Sequence, residues 1–287
     1  MILISIIIPV FQDFNRLVKC LESIENSNFD LKFIEVIVVN NEHMSLELPD
    51  YSFKIISTYQ KKKGSYACRN KGISLASGSL CAFTDSDCIV DKNWLSVAFE
   101  AFKNDADLDI LTGPVNLFRV DENKPINVAE VIEISTAFPQ YMYFKRLNFG
   151  VTANLVVKTS MFNSFKFNNE LKSGGDREFC NKQVQNGAKL DYSNWLIINH
   201  PARNSLTQMN DKSIRVFDGL IMKKEFLLDK LILTFKQIVP PFERIIKILF
   251  TKNISIRLKI LAVIELYNMR FKSFVRGLFT ILNLNQN

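Results

Sequence analysis

Asp85-Ser86-Asp87 places two carboxylates one residue apart, directly after the apolar run Leu80-Cys81-Ala82-Phe83-Thr84. At the mouth of a buried strand such a pair is a compact hard-oxygen site for a divalent cation. Mg²⁺ and Mn²⁺ take carboxylate and phosphate oxygens together, so the chemistry suits a phosphate-bearing substrate. The same triplet also arises in helix caps and surface turns, and its weight depends on what surrounds it. A second group is Ser173-Gly174-Gly175-Asp176-Arg177-Glu178, where two acids open a helical pattern after a Gly-Gly turn. Aspartate there is also a good N-cap. A third is the basic, glycine-bearing stretch from Lys61 to Gly72, which opens a helix and puts Arg69 in its first turns. Guanidinium, helix dipole and free N–H groups all favour anions at such a place.

The elements that must hold these groups alternate. Ile4–Val10 is a continuous β-branched run, and Leu17, Cys20, Leu21 and Ile24 then recur at helical spacing with Asp13 or Asn15 as N-cap. Residues 33–39 form a second apolar run ending in Asn40-Asn41, and 53–56 a weaker third. Residues 65–76 read as a helix and 80–84 as a strand, and Asp91 caps a helix carrying Trp94, Leu95, Ala98, Phe99 and Phe102. Continuous apolar strands between helices imply a parallel sheet covered on both faces. Ligands of such sheets gather at the carboxyl ends of the strands, where Pro9 to Asp13, Asn40-Asn41 and Asp85-Ser86-Asp87 fall. Farther on, strands are expected at 110–115, 151–157 and 195–199, and a helix over 176–185 that ends at Gly187, a C′ glycine.

Six blocks in order carry a family resemblance: I-I-I-P-V-F at 6–11, V-V-N-N at 38–41, G-S-Y-A-C-R-N-K-G at 64–72, T-D-S-D at 84–87, G-V-T-A-N at 150–154 and S-G-G-D-R-E-F at 173–179. Together they resemble the family-2 glycosyltransferases of the GT-A fold over about residues 2–205. The resemblance implies an α/β fold with a mostly parallel central sheet flanked by helices, whose Rossmann-like half (1–115) binds a nucleotide-sugar. Residues 116–205 would form the acceptor half, and 206–287 a helical tail. By position, Pro9, Phe11, Asn41 and Arg69 match nucleotide-sugar-binding residues of the family. Asp85 and Asp87 match its metal motif, with Asp87 the direct ligand, and Asp176 its general base. His200 is either a third metal or diphosphate ligand, as similar enzymes can use a histidine there, or a structural histidine closing a strand. Asn154 is a donor-sugar or acceptor contact, and Glu178 an acceptor contact or an exposed helix residue. Two departures stand out: Gly175 replaces the usual Glu before the base, and Asn40 and Asn41 replace the usual aspartates.

The implied reaction fits the residue types. Inverting transfer needs a leaving nucleotide diphosphate, whose developing charge a divalent cation, Mn²⁺ or Mg²⁺, can neutralise. It also needs a carboxylate across the sugar to take the acceptor proton. The expected donor is a UDP-sugar and the acceptor a glycan or lipid-linked group in surface polysaccharide or glycolipid assembly. A nucleotidyltransferase would share the sheet and carboxylates, but Pro9-Val10-Phe11-Gln12-Asp13 stands where its glycine-rich phosphate loop belongs. A third alternative is a non-catalytic membrane-surface protein with a degenerate transferase domain.

Composition limits the setting. Five scattered cysteines without a C-x-x-C pair argue for reduced thiols in a cytoplasmic protein. The N-terminal run reads as a first strand and not as a signal peptide. Residues 205–287 hold 14 of the 36 Lys and Arg but only 6 of the 29 Asp and Glu. Basic residues among Phe, Leu and Ile at helical spacing predict peripheral contact with the inner face of the cell membrane. Packing on the catalytic region or an oligomer contact is the plainer reading of the same helices. The basic residues lack a recognisable nucleic-acid module, so nucleic acid is not an expected partner.

Overall fold

The computed structural model describes residues 2–222 and 224–284; Lys223 of the basic tail, Met1 and residues 285–287 lie outside the described residues. The N-terminal run forms β1 (Ile4–Val10), followed by α1 (Phe14–Glu25), β2 (Ile34–Asn40), β3 (Lys54–Tyr59), α2 (Ser65–Ile73), β4 (Leu80–Phe83), β5 (Ile89–Val90), α3 (Trp94–Asn104), β6 (Leu108–Thr112) and β7 (Val115–Phe118). Next come α4 (Val128–Thr136), α5 (Gln140–Leu147), β8 (Leu155–Lys158), α6 (Gly175–Gln185), β9 (Lys189–Tyr192) and β10 (Ile198–Pro201). Helices α7 (Leu206–Ile221), α8 (Leu227–Phe235), α9 (Phe242–Phe250) and α10 (Ile256–Leu284) complete the chain.

Seven strands form a sheet of order β3-β2-β1-β4-β8-β6-β9. β3, β2, β1 and β4 run parallel, β8 runs antiparallel to both β4 and β6, and β9 is parallel to β6. Six of the seven strands therefore end on one edge, which they share with the amino end of β8. β1 is apolar apart from Ser5 because both its faces are covered. Ile4, Ile6 and Ile8 pack with Leu17, Cys20, Leu21 and Ile24 of α1. Ile7 packs on the opposite face with Tyr66, Cys68 and Ile73 of α2. Glu35 is buried in β2 without being left unpaired, since Ser5, Ser77 and Lys54 all donate to its carboxylate. A second sheet has the order β5-β10-β7.

The chain divides into two compact units. The first comprises the residues up to Asn116, Phe138–Leu171 and Gly175–His200. The second comprises Leu117–Ala137, Lys172–Gly174 and the residues from Pro201 onward, so the helices expected over 206–287 are joined by α4. Its core gathers Ala129, Val131 and Ile132 of α4 with Met209, Ile248, Ala262, Leu266 and Met269. Glu133 is buried there between Arg203 and Lys212. Pro240 and Pro241 separate α8 from α9, as the sequence suggests.

Two expected strands begin later than their apolar runs. Residues 151–154 form a turn, with Asn154 N–H donating to Val151 at 2.9 Å, and extension starts only at Leu155. The run from Trp195 likewise opens with a turn, Leu196 N–H to Ser193 at 3.3 Å, and pairing starts at Ile198. In both, buried apolar side chains such as Ala153 and Leu196 pack into the core while the backbone bonds locally. α4 escaped the sequence reading although Asn127 and Glu130 form a capping box at its start.

Candidate functional site

The carboxyl edge of the main sheet collects the polar groups. Pro9 is buried in β1 opposite Val39. Phe11, just beyond, is exposed, and Gln12 takes a left-handed turn at φ 51°. A cleft of about 320 Å³ opens at the ends of β1 and β2, lined by Val10, Gln12, Asp13, Asn40, Glu42 and Leu46 among others. Asn41 holds the loop that leads into α2. Its amide donates to Gln60 and Lys62 carbonyls, each at 2.9 Å, and its oxygen accepts from Gly64 N–H at 2.7 Å. Gly64 caps α2 at φ +118°, a conformation that favours glycine.

α2 presents Tyr66 and Arg69, three residues apart on one helical face. Arg69 is 3% exposed, and its Nη2 donates to Asp85 Oδ1 at 2.5 Å. Its Nε, and Thr84 Oγ1, have no hydrogen-bond partner among the described residues. The guanidinium also lies 5.6 Å from the Tyr66 ring centre. Tyr66 reaches the other way. Its hydroxyl accepts from Gly175 N–H at 2.8 Å and donates to Asp176 Oδ1 at 3.4 Å.

Asp87 faces away from that arginine. Its Oδ1 lies 3.6 Å from His200 Nε2, and its Oδ2 lies 3.3 Å from Arg16 Nη1. The antiparallel pairing of β10 with β5, Asn199 opposite Ile89, brings His200 back to the residues that follow Asp85. Ligand atoms of Asp87, Cys88 and His200 lie within 4.8 Å of one another. A carboxylate oxygen and an imidazole nitrogen at this separation fit one cation, whose bonds to such donors run about 2.0–2.3 Å. Cys88 fits less well, because its sulfur is a softer ligand than the oxygen donors that Mg²⁺ and Mn²⁺ favour. Asp85 is turned to Arg69 instead.

Asp176 opens α6 and is half-buried. Burial raises its pKa above the usual carboxylate value, against the opposing pull of Arg177 N–H, the Arg69 charge, Thr152 N–H and the Tyr66 hydroxyl. A carboxylate so poised binds a proton more readily than an exposed one. Glu178, two residues on, pairs with Lys182 at 2.9 Å on the same helix. Asn154 is fully buried: its oxygen accepts from Trp94 Nε1 at 2.9 Å, and its amide donates to the Pro114 and Leu196 carbonyls at 2.9 and 2.6 Å. Its side chain ties α3, the link between β6 and β7, and the 193–196 turn together. Arg16 and Tyr66 were not singled out in the sequence. Tyr66 lay inside the 64–72 block, three residues before Arg69, a spacing that marks it.

A family profile described as "Glycosyl transferase family 2" matches residues 5–169. Glycosyltransferase AglE of Haloferax volcanii is 27% identical over 236 residues, which cover 79% of this chain and 75% of that protein. A Methanococcus voltae enzyme, dolichyl N-acetyl-alpha-D-glucosaminyl phosphate 3-beta-D-2,3-diacetamido-2,3-dideoxy-beta-D-glucuronosyltransferase, is 25% identical over 78% of this chain and 75% of its own. Among solved structures, the mannosyltransferase PcManGT of Pyrobaculum calidifontis, in complex with GDP-Man and Mn²⁺, aligns with a TM-score of 0.56 at 12% identity, covering 98% of this chain and 75% of that one. S. aureus TarS 1-349 in complex with UDP aligns at 0.53 with 15% identity, covering 99% and 91%. At these identities the structural likeness establishes the fold, an α/β GT-A arrangement.

The glycine before Asp176 has a local cause. A Cβ at Gly175 would lie 2.7 Å from Cε2 of the buried Tyr66 ring. We expect Gly175→Ala to displace that ring, to cost about 1–3 kcal/mol of stability in denaturant unfolding, and to lower turnover by loosening the hydroxyl from Asp176.

Proposed function

The chain belongs to glycosyl transferase family 2, and on that premise we propose an inverting, divalent-cation-dependent enzyme that moves a sugar from a nucleotide-diphosphate sugar to an acceptor hydroxyl. One observation carries the reading. A single face of α2 reaches the candidate metal–diphosphate loop through Arg69–Asp85 and the candidate base through Tyr66–Asp176. Asp87 and His200 are the residues that would hold the cation. Bound there, it would neutralise charge on the departing diphosphate. Arg69 fixes Asp85 and offers a buried donor to the same anion. Pro9, Phe11 and Asn41 flank the nucleotide. Asp176, aligned by Tyr66, takes the proton of the acceptor hydroxyl. The acceptor oxygen then bonds to the anomeric carbon as the bond to the diphosphate oxygen breaks on the opposite side. Glu178 stands near enough in the chain to contact the acceptor, and Asn154 supports the acceptor side from within. Residues 1–205 would carry this chemistry.

A UDP-sugar is the proposed donor and a glycan or lipid-linked group the acceptor, in surface polysaccharide or glycolipid assembly. Support comes from the UDP held by S. aureus TarS and the dolichyl phosphate in the name of the Methanococcus voltae relative. PcManGT holds GDP-Man with Mn²⁺, which supports a cation, Mn²⁺ or Mg²⁺, more than it does one nucleotide. The basic helices are the proposed contact with the cytoplasmic face of the cell membrane. Among the described residues no helix is long and apolar enough to cross a membrane. Yet Phe226, Leu228, Ile232, Phe242, Ile246 and Phe250 are exposed, and Lys230, Arg244 and Lys247 stand among them. Apolar side chains with interspersed cations suit an anionic lipid surface.

Two substitutions separate the proposed halves. Asp87→Ala is expected to abolish Mn²⁺-dependent UDP binding, read by thermal shift, along with turnover. Asp176→Asn is expected to keep UDP binding and to lose roughly 10²–10⁴-fold in kcat. In the native enzyme, kcat should fall as pH drops through a pKa raised above that of an ordinary aspartate, since the base must be ionised. A raised folded pKa means that the ionised form opposes folding at neutral pH, so Asp176→Asn should be no less stable there. An active Asp176→Asn enzyme would place the base elsewhere. For the tail, co-sedimentation with phosphatidylglycerol vesicles should exceed that with phosphatidylcholine and weaken with salt; equal recovery with both would remove the anionic-surface reading.

A further inference from the structure

Aromatic side chains gather at the far end of the main sheet, on the edge that carries the proposed site. Phe144 of α5 stacks on Tyr192, the last residue of β9, with ring centres 5.7 Å apart. Tyr141 meets Tyr192 edge-on at 5.4 Å and is 56% exposed. Trp195 follows Tyr192 by three residues, on the turn held by Ser193, and is 75% exposed. Three residues span at most about 10 Å, so Trp195 is rooted in the chain close to the cluster. Packing of α5 on β9 accounts for Phe144 and Tyr192. It leaves the open faces of Tyr141 and Trp195 without a purpose in the fold.

From these observations we infer that Tyr141, Tyr192 and Trp195 form a saccharide platform that holds a sugar ring of the acceptor chain beyond the residue being glycosylated. The inference rests on the glycosyltransferase reading. One face of a pyranose presents C–H groups, which an electron-rich ring face attracts, while the hydroxyls around its rim remain hydrated. Tyrosine and tryptophan add a polar edge to an apolar face, and they lose little freedom on binding. Position agrees. β9 ends on the same edge as β4, three strands away in the order β4-β8-β6-β9. At about 4.8 Å per strand, roughly 14 Å separates the platform from the end of β4. That is too far to touch the sugar being transferred, and it suits a ring further along an extended glycan. The ligand is thus an oligosaccharide, and a single hydroxyl-bearing lipid would leave the platform empty.

Trp195 gives a direct signal, because Trp94, the other tryptophan, is fully buried. The full chain is probed on a glycan array. The glycans it retains are then titrated in solution against iodide quenching of Trp195. UDP with Mn²⁺ is followed in parallel by thermal shift. We expect retained oligosaccharides to shield Trp195 from iodide. Tyr141→Ala and Trp195→Ala, both at exposed positions, should weaken glycan retention at least tenfold and leave the UDP shift in place. The inference is overturned if the array retains nothing, if the variants retain glycans as well as the native chain, or if they lose phosphatidylglycerol vesicles instead, which would make this face a membrane contact. Glycan retention without any UDP shift would refute the donor reading and leave the platform standing. A UDP shift without glycan retention would do the reverse.

Discussion

One turn of α2 governs the geometry of this protein. Tyr66 and Arg69 leave the same helical face and reach in opposite directions, one to the opening of α6 and the other to the loop after β4. The helix can do this because it is buried on both counts. Cys68 and Ile73 anchor it to β1 and β2, and Gly72 allows a close approach to Ile7. Movement of α2 would change the acid after β4 and the acid that opens α6 together. A buried arginine is costly unless it is paired, so the Asp85 contact is a condition of the fold as much as a feature of the site.

Around that turn, polar side chains act as struts. Asn41 joins the end of β2 to the loop that starts α2, which sets the height at which the helix begins. Asn154 joins the turn between β9 and β10 to α3 and to the link between β6 and β7, by three bonds at once. Such fully satisfied amides are directional in a way that apolar contacts are not. They hold loops to the precision that chemistry requires, while the isoleucines of β1 and β2 supply the bulk of the burial.

The second unit obeys a different logic. Its core is small, and many large apolar side chains of α8, α9 and α10 remain on the surface beside lysines and arginines. Its buried acids are paired, Glu130 with Arg119 and Glu133 with Arg203 and Lys212. Exposed apolar area of this extent marks a surface that meets something other than water. The first unit gathers its candidate site residues at strand ends, where open sheets collect ligands.

Much of this was legible in the residues. Largely apolar runs at 4–10 and 33–39 had to be buried on both faces, and the strand-end clusters then had to share an edge, because period and hydrophobicity are local properties. Asp85, Asp87, Arg69 and Asp176 could be named from types and spacing. Their partners could not. The sequence offers no reason for Arg69 to take Asp85 and leave Asp87 to His200; that follows from the pairing of β5 with β10, 110 residues apart. Nor could it tell that Gly175 is demanded by the Tyr66 ring, or that Asn154 is buried. A pattern records which side chains avoid water. Only long-range packing decides which of them meet, since contact between distant segments depends on register and crossing, and neither is written in local order.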